Sequence, residues 1–390
     1  MALRAWSLDP GKQLSQYVLT NWTSRNGLPQ NSVYAIAQTE DGYIWLGTEE
    51  GLARFDGIQL TVFDDSGPAR LGNKWVRRLC AGPDNTLWVG TRAGLVRYRA
   101  GVFHTITTDD GLASDDIAAL YVSRDGSVWI GTPQGLNRSS NGTIRRFTSD
   151  DGLPDNDIRS ITEDRNGSVW VGTRTGLGRL QGDRFIAFGH RDGLPEGEIG
   201  ALARAPDGSL WIGTSKGELA RWNNGTFSNW SNRIGQSHDA ITSLLQDRDG
   251  NLWIAFKENG LGRMVGSVFT RGLDRRGLPG DSLRSLLEDR EGSLWIGTFE
   301  GGLFQLRDAK FTPFGEQEGI PDFTSEVLGT RDGSVWVGTY KDGLKRIKNG
   351  RIETVSMRNG LPNNGVESLA EAADGSLWVG TGECPVDRRK

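Results

Sequence analysis

The chain has 390 residues, of which 55 are glycine and 14 tryptophan, and it lacks the Ala/Glu/Lys/Leu runs that favour helix. That composition predicts many short strands joined by tight turns. A net charge of −4 argues against a nucleic-acid surface, which shows as a basic excess, and no run of about 18 apolar residues is present to span a membrane as a helix.

Residues 1–16 show no pattern; they are expected to form a poorly ordered lead-in, and they lack the apolar segment of a secretory signal. Tyr17–Thr23 reads as a strand and is followed by Gly27-Leu28-Pro29. The stretch DGYIWLGTEEGLARFDG, Asp41–Gly57, then sets the theme. Its core, Trp-x-Gly-Thr, recurs with tryptophan at Trp45, Trp88, Trp129, Trp170, Trp211, Trp253, Trp295, Trp336 and Trp378, at spacings of 41 to 43 residues. A fixed period of this length marks an array of like units.

One full repeat parses from Gly152. Asp157–Thr162 is a first strand, Asp164–Gly167 a hairpin turn, Ser168–Thr173 a second strand, Leu177–Leu180 a third and Arg184–Phe188 a fourth. A four-stranded antiparallel meander of this size cannot bury both faces alone, whereas radial packing of several around an axis buries each against the next. The predicted fold is therefore all-β, a β-propeller of four-stranded antiparallel blades, with each core tryptophan facing the neighbouring blade. Cys80, in the apolar strand Trp75–Cys80, reads as an inert buried thiol, and with Cys384 it is too little for a disulfide framework.

Three places depart from the theme: the loop Ser66–Lys74, the loop Asn232–His238, and Ala255-Phe256 where other cores have Gly-Thr. The chain also starts with the strand that elsewhere comes last, since Trp22 precedes Gly27 as Phe147 precedes Gly152 and Phe188 precedes Gly193. If seven cores close a ring, Tyr17–Thr23 completes the blade begun by Ser282–Leu306. The expected division is a lead-in at 1–16, a seven-bladed propeller at 17–306, and the start of a second, incomplete propeller at 307–390. A single eight- or nine-bladed ring is the alternative, and the strand partner of Tyr17–Thr23 separates the two.

The segments Ser32–Gly57, Ser282–Leu306 and Leu8–Val33 resemble the two-component regulator propeller repeat, and nine matches in register extend the resemblance over about residues 8–382. The resemblance implies the extracytoplasmic, periplasmic sensor region of a membrane signalling protein whose output is a histidine kinase or diguanylate cyclase. It further implies a small-molecule or glycan ligand, no enzymatic activity in this region and a homodimer in the full-length protein.

Among residues that carry chemistry, the Asp-x-Asp-Gly turns such as Asp247–Gly250 have the opening of a calcium loop but read as hairpin turns, so neither metal nor other cofactor is expected. His104, His190 and His238 lie far apart in sequence without metal-ligand spacing. Glu49, Arg92, Gln134, Arg174, Lys216, Lys257 and Phe299, in the loops after the second strands, vary within a constant frame, as a ligand-reading face would. Trp75, where other repeats have Ser or Asp, is the candidate for stacking on a ligand, with core packing the alternative. Three functions compete: a non-enzymatic sensor, a propeller lyase or hydrolase, and a protein-binding scaffold.

Overall fold

The computed structural model describes residues 8–63, 71–235, 238–272, 282–308, 311, 313–348 and 350–382. Most of the loop Ser66–Lys74, part of the loop Asn232–His238, and Cys384 lie outside them. The chain divides into two compact units, the first holding Val18–Asp308 and the second Asp9–Tyr17 with Ala309–Lys390.

The first unit consists of seven four-stranded antiparallel sheets. Six are consecutive meanders, whose inner strands are Val33–Gln38, Val76–Ala81, Ala119–Val122, Ile158–Glu163, Ile199–Arg204 and Ile241–Gln246. The seventh begins with Ser282–Glu288 and takes its outermost strand from the start of the chain: Val18–Trp22 runs antiparallel to Leu303–Arg307, with Trp22 opposite Leu303. Each inner strand packs against the next, and the seventh packs against the first. The ring closes at seven blades, so a single ring of eight or nine is excluded.

The repeated core explains why the blades pack. Trp170 is buried with Ile199, Leu210 and Ile212 of the following blade, and Trp295 with Val33, Ile44 and Leu46 across the closure. The indole N–H of Trp170, Trp253 and Trp295 donates to the first aspartate of the preceding turn: Asp164 at 2.9 Å, Asp247 at 2.9 Å and Asp289 at 2.7 Å. The same carboxylates accept turn amides, as Asp164 does from Asn166 and Ser168, so a buried polar group is satisfied at each hairpin. The threonine of the core donates to the carbonyl that closes the next turn, as in Thr48 to Gly51 at 2.8 Å. Its glycine admits the neighbour: a Cβ on Gly47 would stand 2.6 Å from Val76 Cγ1. The sixth core departs from this rule for packing alone, since Ala255 and Phe256 are both fully buried.

Blades are also clasped at their edges. The Arg124 amide donates to Glu163 of the next blade at 3.0 Å, Arg248 does the same to Glu288 at 3.1 Å, and Arg290 to Gln38 at 2.9 Å across the closure.

The second unit holds a four-stranded sheet (Thr324–Gly329, Val335–Thr339, Leu344–Lys348, Arg351–Val355) and a two-stranded one (Val366–Glu371, Leu377–Thr381). Leu344, Val366 and Leu369 form its small core. Asp9–Tyr17, patternless in sequence, belongs to this unit and carries a 3-10 turn at Leu14–Gln16 with Leu14 buried, so an ordered segment stands where a loose lead-in was expected.

Candidate functional site

Six of the seven inner strands carry a β-bulge near their start, where pairing with the second strand skips one residue: Tyr34, Arg77, Arg159, Gly200, Thr242 and Arg284. In the third blade Ala118 holds the equivalent place. A bulge leaves its extra residue unpaired and re-aims the side chain. Here the six bulged residues gather at one end of the central channel, around a recess of about 400 Å³. The channel itself adds about 210 Å³ and is lined by the next residue of each strand: Ala35, Ala119, Ser160, Ala201, Ser243 and Ser285 are small, while the second blade contributes Arg78.

Positive charge dominates this mouth. Arg77, Arg78, Arg159 and Arg284 come from inner strands, and Arg92 and Lys257 from the loops after second strands. Arg77 pairs with Asp116 at 2.5 Å, and Arg159 with Asp157 at 2.8 Å and Glu198 at 3.6 Å. Among the described residues, no carboxylate lies within ion-pair distance of Arg78, Arg92, Lys257 or Arg284. Arg78 instead donates to the Arg77 carbonyl at 2.8 Å. Burial and the neighbouring Arg77, Arg159 and Arg284 push it down to about 10, which leaves it a cation at neutral pH in a place unfavourable to cations. Burial and the Glu49 carboxylate, to which the phenol donates, push the Tyr34 hydroxyl up to about 12.

The structure brings some of the loop candidates together and separates others. Trp75, Arg92 and Lys257 share the mouth. Glu49 reaches it through Tyr34, and Phe299 lies under the Arg284 guanidinium, 5.2 Å from ring centroid to Cζ. Arg174 and Lys216 line a separate recess of about 450 Å³, with Arg174 3.7 Å from Asp155 and Lys216 paired to Glu196 at 2.7 Å. Gln134 is exposed and accepts from Arg146 at its carbonyl. Lys216 and Gln134 stand one residue too far along: the positions matching Arg92 after Thr91 are Ser215 after Thr214 and Pro133 after Thr132, and Ser215 does line the mouth. Trp75 is half-buried with one face already taken, since Arg92 Cζ lies 3.9 Å from its ring centroid. What it offers the recess is its indole N–H, which has no acceptor among the described residues.

The profile described as two component regulator propeller matches residues 27–50, 111–134, 152–175, 193–216, 235–257, 277–300 and 360–383. The chain belongs to the two-component regulator propeller family. Among solved structures, the extracellular domain of the hybrid two-component system BT3049 from B. thetaiotaomicron is 26% identical, with a TM-score of 0.75 over 94% of this chain and 52% of that one. The corresponding domain of BT4673 from the same organism is 21% identical, with a TM-score of 0.63 over 94% of this chain and 51% of that one, and shows the fold alone. So does virginiamycin B lyase from Staphylococcus aureus, 14% identical with a TM-score of 0.59 over 74% of this chain and 98% of the lyase. This two-component regulator propeller thus spans about half the length of its two-component neighbours. No curated protein matches the sequence.

Two of the three histidines of this propeller share one depression. His190 and His238 line a depression of about 770 Å³ with Glu196, Lys216 and Glu218, whereas His104 lies on the outer strand Val102–Ile106. Glu196, one of the two carboxylates lining it, is engaged by Lys216 at 2.7 Å. The carboxylates of the Asp-x-Asp-Gly turns are likewise engaged, by indole and amide donors, and no group of three metal-ligating side chains occurs among the described residues. No helix among them is long and apolar enough to cross a membrane.

Proposed function

We propose that the chain is the ligand-reading input region of a bacterial membrane signalling protein, non-enzymatic by itself. It binds a small ligand, an oligosaccharide or a molecule of similar size, at the mouth of the seven-bladed ring. In this reading it works outside the cytoplasm, in the periplasm, as part of a homodimer, and passes occupancy to a histidine kinase or diguanylate cyclase output. Homology to the extracellular domain of a hybrid two-component system supports the placement.

The observation that carries the ligand site is the ring of bulged residues. Six of the seven inner strands, of near-constant design, each place one variable residue at a single opening. A structural frame has no need of Tyr, Arg, Arg, Gly, Thr and Arg at equivalent positions, whereas recognition of an asymmetric ligand does. A thermal-shift screen of oligosaccharides, amino acids and peptides is the test. A ligand at about 100 times its Kd adds about 2.7 kcal/mol of stability, and that gain is expected to vanish in a Trp75→Ala, Arg284→Ala double variant. A library without any stabilising member, or a gain unaffected by the double variant, rules the site out.

A second reading, a propeller lyase or hydrolase, rests on His190, His238 and Glu196 in one depression. It requires turnover of an ester- or lactone-bearing substrate that is lost in both His190→Ala and His238→Ala. Unchanged turnover in those variants removes it.

A further inference from the structure

The mouth of the ring holds more positive charge than its own residues neutralise. Four cations facing it, Arg78, Arg92, Lys257 and Arg284, have no carboxylate within ion-pair distance among the described residues, while Arg77 and Arg159 are paired. Three buried donors there also lack acceptors among the described residues: Nε of Arg159, Nε of Arg284 and Nε1 of Trp75. All of these groups are donors only, so each needs an acceptor, and an anion supplies acceptors together with the opposite charge, which water does not. Arg92 and Lys257 are exposed, whereas Arg78 and Arg284 are half-buried; cations drawn out of water are ordinarily paired, and a protein retains such a group unpaired where a ligand completes the pairing.

Resting on the reading of this mouth as the ligand site, we infer that the ligand is a small polyanion, a molecule carrying two or more carboxylate, sulfate or phosphate groups. The guanidinium groups approach from the second, fourth and seventh blades, on different sides of the opening, so one acidic group cannot meet them all. Planar guanidinium forks match such oxyanions in bidentate fashion. A recess of about 400 Å³ admits a small molecule and excludes a duplex or a folded partner. A neutral oligosaccharide would bury the mouth and leave its charge uncompensated. Burial, and after it the crowding by Arg77, Arg159 and Arg284, depresses Arg78 in the ligand-free state, and a bound anion offsets the crowding.

The test uses the whole chain with citrate, inorganic phosphate, digalacturonate and neutral cellobiose as probes, by calorimetry and thermal shift at low and high salt. At least one of the two polycarboxylates is expected to bind more tightly than phosphate or cellobiose, and to weaken with salt. Arg78→Gln and Arg284→Gln are each expected to lower that affinity about ten- to hundredfold, with Arg284→Lys retaining part of it. Ligand-free Arg78→Gln should melt above the native chain, which shows that the variant is folded and that the charge was strained. Citrate against digalacturonate separates a free polycarboxylate from an acidic sugar. Cellobiose binding unaffected by either Gln variant but lost on Trp75→Ala overturns the polyanion and leaves the ligand site standing. Polyanion binding that both Gln variants retain in full overturns it as well, and no binding by any probe overturns both readings.

Discussion

At the scale of single residues, each tryptophan of the repeat has two duties. Trp170 fills the space toward the next blade and donates its N–H to Asp164, which is itself buried; opposite it on the third strand, Arg179 Cζ lies 5.2 Å from the indole centroid. Removing the ring and removing the donor should therefore differ in cost. Trp170→Ala is expected to lose about 3–5 kcal/mol in chemical denaturation. Trp170→Phe keeps most of the packing but deprives a buried carboxylate of one donor, for about 1–3 kcal/mol. Cys80 is half-buried, and the desolvation of its thiol pushes it up to about 11. In a Cys384→Ser background it should alkylate at pH 8 about two orders of magnitude more slowly than a free thiol, and at the free rate once unfolded. Tyr34 offers a pH test with a defined sign. Its folded value of about 12 lies above the ordinary phenol value of 10.0, so the fold favours the neutral phenol. That contribution is complete below pH 10 and is lost as pH rises toward 12. Denaturation of the native chain and Tyr34→Phe in parallel should show the difference between them shrinking across that interval, and a constant difference would remove the Tyr34–Glu49 bond as its source.

At the scale of the blade, the glycine after the tryptophan sets how closely two sheets approach. A Cβ on Gly131 would fall 2.5 Å from Ile158 Cγ2 and 3.0 Å from Ala119 Cβ. Gly131→Ala is thus expected to cost about 1–3 kcal/mol by overpacking, measurable as a lowered melting temperature, although alanine is tolerated at the matching Ala255. The four strands, their turns and the blade-facing tryptophan are legible in a single repeat, because each follows from local alternation, turn chemistry and a need for burial. The bulges are not. A bulge shifts register by one residue and leaves no mark within one repeat. It shows only when the residue after the buried aliphatic is compared across all seven, as Tyr34, Arg77, Ala118, Arg159, Gly200, Thr242 and Arg284. For the same reason the loop residues were legible as a class but not in register: Lys216 and Gln134 have more conspicuous side chains than Ser215 and Pro133, and side-chain character is a poor guide to which loop position faces the axis. That Arg92 covers Trp75 depends on the register of the second blade, where the two flank the paired Val76 and Thr91 at the ends of its first and second strands.

For the ring as a whole, what matters is that no blade is terminal. Trp22 of the closing strand stacks on Trp295 at 5.4 Å, the Asn21 amide donates to the Gly301 carbonyl at 3.1 Å, and Arg290 clasps Gln38. A chain lacking residues 1–23 would expose the edge of Leu303–Arg307 and one side of Trp295. It is expected to melt well below a chain lacking only residues 1–17 and to aggregate with increasing concentration, as unprotected strand edges do. Equal melting of the two would mean that the closing strand contributes little.

The closing strand also bears on time. Asn21 and Gly301 are 280 residues apart in sequence and adjacent in the seventh blade. A ribosome delivers the first of these long before the second, so the strand that finishes the ring is made first and has to wait unpaired while six blades form behind it. The last step of folding is then a loop closure over nearly the whole unit, the kind of long-range pairing that folds slowly. The arginines of the mouth acquire their common opening only at that step, since the second, fourth and seventh blades surround one axis only when the ring is shut.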